Sequence, residues 1–333
     1  MSEHKLADLR SFLDFDQIGC SCKLPAEQLL KLLNSSGIRE LFDSRKVTCF
    51  SQDVAIVQTV DFFTPVTANP RFQGRIAATN VLNDLYAMGI PKILSFSIIL
   101  GLKRDTPQPM AKQILRGIKD LCDEVGTKIV GGHTAVFCDV IVGGSAVAMI
   151  EPKKLVFPKG AKSGDLLVLT KPLGSQLAML ASYLENYGLI QEGVLSNELR
   201  EYALRTMSHP ANKVAEALYS HGANAATDIT GFGLLGHASQ IALNSGVDLN
   251  FDFVPVLRGS IKLAEALKKD LKSGMLPETA GGILICVRQE DFSNLEEALK
   301  KGDELVLLVG RVTEKKGSLG RAIISQNATI EEI

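Results

Sequence analysis

The chain has 333 residues, 46% of them hydrophobic and 22% charged, with a formal net charge of −1 at pH 7. That balance predicts a folded globular protein of about two domains and excludes a disordered chain or a basic nucleic-acid binder. Six scattered cysteines exclude a disulfide-stapled scaffold, the lack of a C-x₂-C pair excludes a zinc ribbon, and no apolar run reaches the ~18 residues of a membrane span. Residues 1–10 mix charges and carry no apolar secretion stretch, so a cytoplasmic location with no membrane partner is expected.

In chain order, a short helix is expected at 26–33, with Pro25 at its start, followed by a buried strand at 54–60. Residues 75–88 read as a helix stopped by Gly89, 92–100 as a strand, and 110–125 as an amphipathic helix stopped by Gly126. Strands follow at 128–130 and 140–150. Beyond a polar, glycine-flanked stretch at 160–164 come a strand at 166–170 and helices at 176–186, 196–207, 212–220 and 232–243. Strands at 250–254, 282–287 and 304–309, with a helix at 292–301, complete the reading. The interleaving is α/β (α+β), in three parts: an N-terminal arm at 1–48 expected to be mobile, an α/β domain at 49–155 and a second at 156–333.

No phosphate-binding G-x-x-x-x-G-K-[ST] occurs. Gly231, Gly233 and Gly236 form one G-x-G-x-x-G, open to three readings: a dinucleotide cradle, a closely packed helix start, or a metal and phosphate site centred on Asp228. Asp53, Asp61 and Asp84 lie in or beside apolar elements, and Asp84 shares a helix face with Asn80 at i−4. Buried aspartates need partners or cations, and Mg²⁺ favours carboxylates together with phosphates; singly, each is more often a cap or turn residue. Gly131-Gly132-His133-Thr134 is either a phosphate-facing loop or a plain turn, and Gly281-Gly282 reads as a turn leading into a strand. Cys20-Ser21-Cys22-Lys23 sets two thiols beside an ammonium, which favours a nucleophilic thiolate; the alternative is two exposed cysteines in an arm.

The same blocks carry a resemblance. Cys20-x-Cys22-Lys23, TVDFFTPV (59–66), GRIAATNVLNDLYAMG (74–89), GGHT (131–134), TDITGFGLLGH (227–237) and TAGG (279–282) resemble, in order, the signature blocks of the selenophosphate synthetases. The resemblance implies a fold like aminoimidazole ribonucleotide synthetase, with the N-terminal domains pairing as a homodimer through a β-barrel and a C-terminal α/β sandwich. It implies conversion of ATP, hydrogen selenide and water to selenophosphate, phosphate and AMP, supplying selenium for selenocysteine and selenouridine. Asp53, Asp84 and Asp228 would then bind several Mg²⁺ ions, and K⁺ would activate. Lys23, Asp53, Asp61, Asn80 and Asp84 would lie at ATP, and Gly132, His133 and Thr134 would reach it from the partner subunit. Cys20 and Lys23 would be the catalytic pair on a closing loop. A selenium-delivery protein is a possible further partner.

The match departs from the family in two places: the stretch before Cys20 is poorer in glycine, and Gln52 precedes Asp53 where paired aspartates are usual. Thiamine-monophosphate kinase and aminoimidazole ribonucleotide synthetase resemble the same Asp and Gly blocks and remain alternatives. A noncatalytic selenium or metal carrier using Cys20 and Cys22, and a dinucleotide oxidoreductase built on TGFGLLGH, are alternatives of other classes.

Overall fold

The computed structural model describes residues 18–20, 28, 32–33, 35–36, 45–49 and 51–333. Lys23, Cys22 and most of the helix expected at 26–33 lie outside them. The first sheet begins with a hairpin, β1 (Arg45–Cys49) against β2 (Ala55–Phe63). Inward positions of β2 are Ala55, Val57, Thr59, Asp61 and Phe63, while Gln58, Val60 and Phe62 face outward and are exposed. This period of two is what a half-covered antiparallel strand produces.

Helix α1 (Pro70–Tyr86) follows. Asn69 caps it by accepting from the Arg71 and Phe72 amides, and Pro70 occupies the first turn, so it starts five residues before the apolar periodicity suggests. Strand β3 (Ile93–Leu102), helix α2 (Gln108–Glu124), strand β4 (Lys128–Val136) and strand β5 (Ile141–Ile150) complete the unit. The sheet order is β1-β2-β5-β3-β4, which leaves β4 on one edge. Helices α1 and α2 cover one face of the sheet. They approach closely because Gly74 and Gly117 stand at the crossing: a Cβ on either would lie 1.9 Å from a carbonyl oxygen of the other helix.

The second unit runs β6 (Leu166–Leu169), α3 (Ser175–Asn186), α4 (Asn197–Ser208), α5 (Asn212–His221), β7 (Ala225–Asp228), α6 (Gly233–Ser245), β8 (Val247–Val256), α7 (Ser260–Ala266), β9 (Ile283–Val287), α8 (Phe292–Lys301), β10 (Leu307–Glu314) and β11 (Ala322–Glu332). Its six-stranded sheet has the order β11-β8-β10-β6-β9-β7. A core of Leu167, Leu169, Leu234, Ile241, Leu249, Phe251, Leu284 and Val309 packs one side of it against α6. Among the described residues, no helix is long and apolar enough to cross a membrane.

The two units meet on α1. Almost every residue from Gln73 to Tyr86 is buried, because α1 has the first sheet and α2 on one side and α4, α5 and β7 on the other. A helix buried all round must find internal partners for its polar side chains. Arg75 Nε donates to the Ser208 carbonyl at 3.0 Å, and the Ala211 amide donates to Asn83 Oδ1 at 3.1 Å. These bonds tie the first unit to the second.

Candidate active site

Asn80, on the middle turn of α1, is the hub of the seam. Its Nδ2 donates to Asp61 Oδ2 at 2.8 Å; its Oδ1 accepts from the Ala280 amide at 2.8 Å and from the Cys20 thiol at 3.3 Å. One amide therefore joins β2, the loop before β9 and the N-terminal segment. Asp84 lies one turn further along α1, 6% exposed, and accepts from the Thr59 hydroxyl at 2.5 Å. Thr59 and Asp61 are alternate inward residues of β2, so Asp61 and Asp84 project into the same region. Asp228, 3% exposed, ends β7, against which α1 packs.

Cys20 is completely buried. Its amide donates to Thr279 Oγ1 at 2.9 Å, and its carbonyl lies over Gly231, where a Cβ would come within 2.4 Å. Gly231 thus fits the closely packed reading of the glycine motif: it admits the backbone of Cys20. Strand β7 does precede the motif, although it has only four residues. Gly281 and Gly282 lead into β9 as expected, and they do so under compression. A Cβ at Gly281 would lie 2.3 Å from the Ile229 carbonyl, and one at Gly282 2.6 Å from the Lys171 nitrogen. Between these contacts, Ala280 takes a left-handed φ of 50°, which a residue with a Cβ rarely adopts.

Two buried charges support this loop. Lys171 Nζ donates to the Ala280 carbonyl at 2.9 Å and to the His209 carbonyl at 2.7 Å. Burial lowers its pKa to about 8 against the pull of Glu304, Glu278 and Asp228, which favour the ammonium. Glu278 accepts from the Gly174 amide at 2.5 Å, from the Ser175 hydroxyl and from the Gln176 amide at 3.3 Å, which caps α3. Burial raises its pKa, and those hydrogen bonds oppose the rise. Sequence reasoning passed over Lys171, Gln176 and Glu278. A lone lysine two residues after the apolar run Leu166–Leu169 was the available signal for the first of them.

The structure does not gather all the expected residues. Cys20, Asp61, Asn80 and Asp84 share one locale, with Asp228 on the abutting strand. Asp53 is exposed in the turn before β2, and Ala55, two residues on, lies four residues, roughly 13 Å, from Thr59 along the strand. Gly132, His133 and Thr134 stand on edge strand β4, three strand positions or roughly 14 Å from β2.

The donor set suits a hard cation. Asp61, Asp84 and Asp228 offer buried oxygen ligands, yet among the described residues no group of three or more His, Cys, Asp or Glu side chains is placed to hold a metal ion unaided. Mg²⁺ commonly takes one or two carboxylates and completes its shell with phosphate oxygens and water, which fits such a set.

Comparison with known proteins agrees with this architecture. Residues 43–150 match AIR synthase related protein, N-terminal domain, and residues 162–321 match its C-terminal domain. The selenide, water dikinase of Methanococcus maripaludis is 34% identical over 95% of this chain and 98% of its own length. That of Trypanosoma brucei brucei is 33% identical over 95% and 88%. Among solved structures, thiamine monophosphate kinase of Aquifex aeolicus superposes with a TM-score of 0.69 at 18% identity, covering 92% of this chain and 100% of its own. The hydrogenase maturation protein HypE in complex with ATP gives 0.68 at 17% identity, covering 97% and 91%. Matched along both domains at this identity and coverage, the chain belongs to the selenide, water dikinase family of AIR synthase related proteins.

Proposed function

We propose that this protein transfers the γ-phosphoryl group of ATP to hydrogen selenide and then hydrolyses the remaining ADP, giving selenophosphate, phosphate and AMP. In the first step the bond from the γ-phosphorus to its bridging oxygen breaks, a selenium–phosphorus bond forms and ADP leaves. In the second, water attacks the β-phosphorus and AMP leaves. The observation that carries the reading is the seating of Cys20 on Asn80, where the N-terminal segment, α1, the Asp228 loop and the loop before β9 all converge.

Asp84 and Asp228, with Asp61 beside them, would hold Mg²⁺ against the triphosphate; facing the polyanion bare, these carboxylates would repel it. Bound there, the ions supply electrostatic stabilisation of phosphoryl transfer, with K⁺ as an activating ion. Asn80 orients Asp61 with its Nδ2 and the Cys20 thiol with its Oδ1. Cys20 guides the selenium nucleophile, and the Lys23 ammonium neutralises the transferred phosphate oxygens. Gly132, His133 and Thr134 act at the nucleotide of the opposite subunit in a homodimer. Their position on an exposed sheet edge supports this role.

Phosphorus NMR of ATP with selenide, with and without Mg²⁺, tests the reading. The expected products are selenophosphate and AMP in equal amounts, dependent on both additions. Cys20→Ser is expected to lose selenophosphate formation while keeping the parent's circular dichroism. Absence of selenophosphate with the parent protein would overturn the proposal, and normal turnover by the variant would remove Cys20 from it.

A further inference from the structure

The N-terminal segment is held by two side chains with no place in that mechanism. Gln176 Nε2 donates to the Ile18 carbonyl, and Gln176 Oε1 accepts from the Thr279 hydroxyl. Thr279 Oγ1 in turn accepts from the Cys20 amide. The bonds run in a circuit from Cys20 through Thr279 and Gln176 back to Ile18, closing around Gly19. Gly19 has a φ of +56°, and a Cβ on it would stand 2.6 Å from Thr279 Oγ1 and 2.9 Å from Gln176 Oε1, so only glycine fits.

Ordinary fold maintenance does not account for this arrangement. The N-terminus of α3 is already capped by Glu278, so the Gln176 side chain is not its cap and turns to Ile18 and Thr279 instead. The same Glu278 is anchored to the start of α3 by these bonds, and its neighbour Thr279 bonds to Gln176. Ile18, 3% exposed, packs beside a cavity of about 230 Å³ lined by Leu177, Leu180, Leu276 and Pro277. On the other side, Gly19 forms an isolated bridge to Thr64 of the first unit. The outcome is a thiol with no exposed surface, and a buried thiol cannot meet a reagent from solution.

We infer that Gln176 and Thr279 are positioning residues forming a clasp that docks the Cys20 segment in the seam and sets how often its thiol is reachable. Undocking exposes Cys20 to the selenium nucleophile; docking returns it to Asn80. The catalytic meaning of the clasp rests on the proposed function, but the clasp itself is a statement about access and is tested without turnover.

The test is alkylation of the full chain by iodoacetamide, followed at each cysteine by peptide mass spectrometry. Cys138 is exposed and Cys286 buried, which gives a fast and a slow internal reference. Parent Cys20 is expected to label far more slowly than Cys138. Gln176→Leu and Thr279→Val each remove hydrogen bonds of the clasp and are expected to raise Cys20 labelling about tenfold, since the rate follows the open population. Thr279→Ser keeps the hydroxyl and is expected to stay within about twofold of the parent. The inference is overturned if both disruptive variants label Cys20 at the parental rate. It is equally overturned if parental Cys20 labels as fast as Cys138, or if Cys286 labelling rises in step with Cys20. Product formation by Cys20→Ser is decided separately, so failure of the chemistry and failure of the clasp give different results.

Discussion

Asn80 shows how much one side chain can organise. Its carbonyl oxygen has two lone pairs, and both are engaged, by the Ala280 amide and the Cys20 thiol; its amide turns to Asp61. An aliphatic residue here would leave a buried carboxylate and a buried backbone donor without this partner, at roughly 1–3 kcal/mol each. Asp84 is the neighbouring test of the cation reading. Asp84→Asn keeps the size and the oxygen that faces Thr59 but removes the charge. Its affinity for Mg²⁺-ATP, measured by calorimetry, is expected to fall roughly tenfold or more. An unchanged titration would exclude Asp84 as a ligand.

At the scale of elements, the crossing of α1 and α2 depends on Gly74 and Gly117. Gly117→Ala would place a methyl group 1.9 Å from the Arg71 carbonyl, which neither helix can relieve without moving apart. A loss of about 1–3 kcal/mol in unfolding free energy by urea titration is expected; a loss within experimental error would show that the crossing yields freely. The same helix α1 differs from the sequence reading at its start. The helix expected at 75–88 was bounded by its apolar residues, whereas its true start is set by Asn69 and Pro70. Strands β1, β7 and β11 and helix α7 were missed as well. The strands β1 and β11 gain their stability from neighbours in the sheet rather than from a self-evident pattern.

Two properties belong to the whole molecule. The first is the burial of Lys171, whose pKa drops to about 8 while an unfolded lysine keeps its proton to about 10.5. Between those values the unfolded chain binds more protons, so the stability due to this residue rises with pH. In Lys171→Met that rise disappears: the parent's thermal midpoint is expected to gain on the variant's between about pH 8 and about pH 10. A constant difference would show that Lys171 does not titrate in this window. The second is the open face of the first sheet. Val60, Phe62, Leu94 and Met149 are exposed on its strands, and edge strand β4 exposes Val130 and Val136. A long apolar edge invites pairing with another strand. If the first sheet is the dimer face, Val130→Glu is expected to convert a dimer to a monomer in sedimentation while leaving the secondary structure intact. A variant that still sediments as a dimer places the interface elsewhere.

By itself the sequence determined the α/β class, most helices and the family, since these depend on local periodicity and on six blocks in fixed order. It also marked Asp61, Asn80, Asp84 and Asp228 as polar residues in apolar company, a signal that burial must be compensated. What it could not decide was which of them meet. Asp84 stood out along the chain by its helix face shared with Asn80, but that its carboxylate meets Thr59 of β2 was decided by the packing of α1 on the sheet. The contacts of Thr279, Gln176 and Lys171 became visible only once the chain folded, because each acts on a residue at least 38 positions away. Contacts at such separations leave no periodic trace; they are decided by how two sheets close on one buried helix.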